Sequence, residues 1–163
     1  MSMIERYRRW FEYEEDSHAK VFAALESVAP ERREAPEYHK AVSWMAHLVA
    51  ARRLWLGRLG AGPAFAGDFF PERPDLAQVK ADWAEVAERW KSYLAQADDL
   101  EVERIFEYQS LDGGRFRNRV EDILTQMFGH SWYHRGQIAQ LVRQAGGTPA
   151  VTDFVFWTRQ ALP

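Results

Sequence analysis

The sequence predicts an all-α fold, a four-helix bundle. Three observations carry this. Four long segments place apolar residues at three- and four-residue spacing. Stretches rich in proline and glycine separate them. One short stretch alone has the alternation of paired strands. With 163 residues the chain predicts a single domain over 1–163, long enough to bury one core.

The first helix spans about 3–28, with Ile4, Tyr7, Phe11, Val21, Phe22 and Leu25 on its apolar face and Ala29-Pro30 as its stop. The second spans 37–59 behind Pro36, with Trp44, Leu48, Ala51 and Trp55 as its stripe. Gly57, Gly60, Gly62 and Pro63 close it, and 61–74 reads as a loop. Pro74-Asp75 opens a third helix over 76–97, with Val79, Trp83, Val86, Trp90 and Leu94 on one side. Asp98-Asp99 ends that pattern.

Residues 103–110 and 115–117 then flank Asp112-Gly113-Gly114, the signature of a tight turn, so a small hairpin is expected. Asn118 with Glu121 three residues on reads as an N-terminal capping box for the fourth helix, which runs to Gln144. Gly146-Gly147 and Thr148-Pro149 stop it. The aromatic tail, 152–162, reads as a short C-terminal helix.

Composition narrows the function. The net charge of −3 gives no basic face for nucleic acid. No apolar run reaches the roughly 18–20 residues of a membrane span, and the first residues lack the apolar core of a secretory signal. The default compartment is the cytoplasm. With no cysteine, thiolate catalysis, disulfides and cysteine zinc sites are excluded.

The five histidines carry what chemistry the sequence offers. His130 and His134 are one helical turn apart, inside the apolar stripe of Val120, Ile123, Met127, Ile138 and Leu141. Two imidazoles so spaced can grip one metal ion. No glutamate follows His130, so the zinc-protease motif is absent. His47 lies on the inward flank of the second helix beside Ala51 and Leu54, where facing helices could bring it to the pair. Three neutral imidazoles leave positions open for water or substrate. The alternative is three hydrogen-bonded core histidines.

His18 lies in the stripe of the first helix, with Glu14 one turn before it; both could line the same cavity as ligand, supporting residue or acid–base group. His39 is expected to be exposed. Gln137, beside His130 on the wheel, could orient a ligand, and Arg135 flanks the pair. Trp44, Trp55 and Trp132 could roof a pocket or fill the core. Trp83, Trp90 and the tail aromatics could pack between subunits or complete the monomer.

The stretch His130-Ser131-Trp132-Tyr133-His134-Arg135-Gly136-Gln137 resembles the His-x-x-x-His-Arg-Gly-Gln signature of the DinB/YfiT-like family of metal-dependent proteins. His47-Leu48-Val49-Ala50-Ala51-Arg52-Arg53-Leu54-Trp55-Leu56 is similar to that family's first-ligand helix. Asp112-Gly113 and Thr152-Asp153-Phe154 also fit, so the resemblance covers nearly the whole chain. It implies an up-down-down-up bundle, often a homodimer, holding one divalent ion, often zinc or nickel, on His47, His130 and His134. Many relatives carry Asn near the position of His18; a fourth histidine there would complete the coordination sphere.

The resemblance further implies a small-molecule enzyme. Relatives include thiol transferases that use bacillithiol or glutathione, and a mycothiol-dependent isomerase. The expected activity is therefore transfer of a low-molecular-weight thiol cosubstrate to a small electrophile. The alternatives are a metal-dependent hydrolase and a non-catalytic, metal-binding, dimeric stress-response bundle.

Overall fold

The computed structural model describes residues 1–162. Its helices are α1 (Met3–Glu26), α2 (Pro36–Arg58), α3 (Leu76–Gln96), α4 (Asp99–Glu103), α5 (Val120–Gln144) and α6 (Phe154–Thr158). Strands β1 (Ile105–Gln109) and β2 (Arg115–Arg119) form the hairpin before α5.

Local chemistry sets the boundaries. At the start of α1, the Ser2 hydroxyl accepts from the Glu5 N–H and the Glu5 carboxylate accepts from the Ser2 N–H. That helix ends two residues before the expected Val28, because Ser27 turns its hydroxyl back onto the Ala24 carbonyl at 2.6 Å. Pro36 opens α2, where a missing N–H has no cost. Asp75 caps α3. Asp98 ends the α3 pattern as expected and also caps the unforeseen α4 through the Glu101 N–H.

One cap differs from the expectation. Asn118 does not cap α5; it lies in β2, where its side chain accepts from the Tyr108 hydroxyl at 3.0 Å. The strand pairing runs through to Arg119, so the helix starts later and Asp122 accepts from the Arg119 N–H.

The helix directions follow from residue pairs. Along α1 and α3, Arg8 meets the Leu94 carbonyl and Glu26 meets Lys80, so these helices are antiparallel. Along α1 and α5, Tyr7 meets Thr125 and Glu14 meets Ser131, so these are parallel. Trp44 meets His134 and Arg52 meets Phe128, so α2 and α5 are antiparallel. Val49 lies near Val79 and Arg53 reaches Glu85, so α2 and α3 are parallel. The order is up-down-down-up. Around the bundle the helices run α1, α3, α2, α5, with α1 and α2 on one diagonal.

The core is aliphatic and aromatic, with Leu25, Met45, Leu48, Trp90, Leu124 and Phe128 fully buried. Trp83 and Trp90 belong to it, which removes them from any subunit interface. Their face of α3 looks inward because α3 packs against both α1 and α2. Phe154 and Trp157 of α6 pack on the Tyr13 ring.

The connection from α2 to α3 positions the site. Gly57 has no side chain, and a Cβ there would lie 2.5 Å from the Pro63 carbonyl oxygen. The chain can therefore fold back along α2 and lay Phe69 and Phe70 beside His47.

Candidate metal centre

The antiparallel packing of α2 on α5 brings His47 to His130 and His134. His130 Nε2 lies 3.1 Å from His47 Nε2 and 3.0 Å from His134 Nε2. One ring nitrogen from each residue lies within 4.8 Å of the others. Ligands about 2.0–2.1 Å from a tetrahedral zinc ion stand roughly 3.3 Å apart, so the cluster has the right scale.

The second ring nitrogens decide what the cluster can hold. His47 Nδ1 lies 2.8 Å from the Phe69 carbonyl oxygen. A carbonyl only accepts, so the proton sits on Nδ1. His134 Nδ1 likewise donates to Gln137 Oε1 at 2.7 Å. Both Nε2 atoms therefore present lone pairs, and both are aimed at His130 Nε2. One proton on His130 can satisfy only one of them. A cation among the three satisfies all, so the donor set fits a divalent metal ion.

Electrostatics agree. Burial pushes the His130 pKa down to about 4, helped by His134, His47 and Arg52. Burial also lowers His47 and His134; the Lys40 ammonium adds to this, and the bonds to Phe69 and Gln137 oppose it. The rings are thus neutral and ready to ligate at neutral pH.

Around the cluster, Trp44 stacks on His134 at 4.4 Å and Phe70 stacks on His47 at 4.6 Å. Of the three tryptophans considered as a roof, Trp44 alone takes that place. Trp55 packs on Tyr108 and Arg58, and Trp132 packs on Trp10 with much of its ring exposed. Gln137 does orient one of the three histidines, but it is His134 and not its wheel neighbour His130. Arg135 points away, donating to the Tyr13 hydroxyl at 2.7 Å. His39 is half-buried rather than exposed, 3.5 Å from Glu34.

His18 and Glu14 do not join the cluster. Arg52 Nη2 donates to both Glu14 oxygens at 2.5 Å, and the Ser131 hydroxyl donates to Oε1 at 2.5 Å. His18 is fully buried against Trp83, with ring centroids 4.3 Å apart. Burial holds it neutral, reinforced by Arg135 and Arg52. It is a core residue, so a fourth-histidine closure of the coordination sphere is excluded by position. Sequence reasoning missed the Phe69 carbonyl and Phe70; the only signal was three phenylalanines in a loop otherwise rich in proline and glycine.

The model of the DinB family matches residues 3–161. Protein DinB of Bacillus subtilis (strain 168) is 28% identical over 83 residues, 51% of this chain and 47% of that protein. The similarity thus spans about half the length of the relative. No solved structure matches the chain.

Proposed function

The chain belongs to the DinB family, and from that premise we propose that it is a metal-dependent enzyme of the thiol S-transferase type. His47, His130 and His134 hold one divalent ion, zinc or nickel. The observation that supports this best is the convergence of lone pairs fixed by Phe69 and Gln137. A divalent ion bound there supplies Lewis acidity that lowers the pKa of a thiol or water.

The chain's own groups do the rest. The Phe69 carbonyl and Gln137 lock the tautomers of His47 and His134. Trp44 and Phe70 shield the imidazoles from water. A cleft of about 570 Å³ beside Trp44 and His47 admits a small molecule, which favours an enzyme over a closed, non-catalytic site. In the reaction a low-molecular-weight thiol (bacillithiol, glutathione or mycothiol) gives its proton to solvent. Its sulfur bonds to the electrophilic carbon as the leaving group departs with the bonding pair. On this reading the partners are a small-molecule substrate and a second copy of the chain in the cytoplasm, with no nucleic acid and no membrane. Among the described residues, no helix is long and apolar enough to cross a membrane.

The test is a conjugation assay on zinc- or nickel-loaded protein, pairing each thiol with a chromogenic aryl halide. Turnover that a chelator stops and His134→Ala abolishes is expected. An ion held without turnover for any thiol would favour the non-catalytic reading. Hydrolysis of ester or amide substrates in place of conjugation would favour the hydrolase.

A further inference from the structure

The cleft beside His47 carries charge that holding an ion does not use. Lys40 lies two turns before His47 on α2, and its ammonium sits 4.3 Å over the Trp44 ring. Among the described residues, that ring rather than a carboxylate holds it. Arg73, exposed, lines the same cleft, with Glu34 at 4.0 Å as a loose partner. Glu72 is the one carboxylate among the lining residues, against the two cations Lys40 and Arg73.

Arg73 is also the one non-glycine residue described with positive φ, at 47°. It precedes Pro74, which normally pushes its neighbour to extended backbone. Such strain persists where the surroundings impose it, and it clusters at ligand clamps.

We propose that this cleft recognises a small carboxylic acid. Its carboxylate lies between Lys40 and Arg73, its apolar middle between Trp44 and Phe70, and its reactive end at His47. This deepens the enzyme reading and rests on it: the substrate or thiol carries an acid group about one cleft length from its reacting atom. An ammonium on an aromatic face, free of a fixed counter-ion, is available to pair with an incoming acid.

Two titrations test it. In the first, cobalt(II)-loaded protein is titrated with 3-mercaptopropionate, neutral 2-mercaptoethanol and cationic cysteamine, following the thiolate charge-transfer band. The acid should bind about tenfold tighter than the neutral thiol, with cysteamine weakest. Lys40→Met should reduce that advantage to less than about threefold, with cobalt stoichiometry held at about one per chain. Arg73→Ala should cause a smaller loss. Equal binding of all three thiols, or an advantage that survives both substitutions, overturns the proposal.

The second titration needs neither thiol nor ion. Metal-free protein is titrated with 3-phenylpropionate and its neutral amide, following tryptophan fluorescence. A similar preference for the acid, lost in Lys40→Met, is expected; no preference overturns the proposal. Protein that takes up cobalt, shows no thiolate band and still prefers 3-phenylpropionate would overturn the thiol reading and leave the acid site standing.

Discussion

Two polar clusters lie side by side in this bundle, and they are built in opposite ways. Around Glu14 both carboxylate oxygens are met by donors: Arg52 and Ser131 donate to them, and all three residues are almost fully buried. Around His130 the groups that meet are acceptors facing one another, and His47 among them lines an open cleft. The first arrangement engages both carboxylate oxygens and ties α1 to α2 and α5, although Arg52 Nε and Nη1 are buried without a hydrogen-bond partner. The second leaves facing lone pairs that a cation would satisfy. Burial of polar residues therefore does not by itself mark a metal site; lone pairs that face one another do.

The largest difference should appear in stability. Glu14→Ala strands the Arg52 guanidinium in the core and should cost about 3–5 kcal/mol. His134→Ala, measured without metal, should cost about 1 kcal/mol. Urea denaturation of both variants checks this. Similar costs would erase the distinction between the clusters.

Metal affinity should separate them the other way. Gln137→Ala removes the acceptor on His134 Nδ1 and should weaken zinc binding about 10–100-fold with the fold intact. Lys91→Ala, on the far face of α3 and paired with Glu15 and Glu88, should leave zinc binding unchanged. Competition with a chromogenic chelator reads both.

A smaller effect concerns pH. The unfolded chain takes up protons near the ordinary histidine pKa of about 6.5. The folded chain holds His130 neutral down to about 4, and burial also keeps His18, His47 and His134 below their usual range. Between those values the unfolded state binds more protons, so metal-free stability should fall as the pH drops from about 6.5 toward 4. His130→Ala/His134→Ala should show a shallower fall, and His18 alone should retain part of it. Equal slopes in thermal melts would contradict this.

Much of this was legible in the sequence. The turn between His130 and His134 fixes their shared direction, and the stripe on α2 places His47 inward, so the meeting of these three histidines could be read from helical spacing. The same wheel could not separate His18 from the three clustered histidines. It gives direction but not depth along the bundle, and His18 sits at the level of Trp83. Nor could it show that Glu14 pairs with Arg52 across a diagonal. The Phe69 carbonyl had no signal, because any residue carries one. Asn118 misled because its capping pattern is local, whereas the strand pairing that claims it depends on Tyr108 across the hairpin.

The most direct test of the metal centre is metal content by elemental mass spectrometry. Untagged protein incubated with zinc or nickel and then desalted is compared with the His130→Ala/His134→Ala variant. The account predicts about one equivalent per chain in the parent and almost none in the variant. No metal in the parent, or equal metal in both, would contradict it.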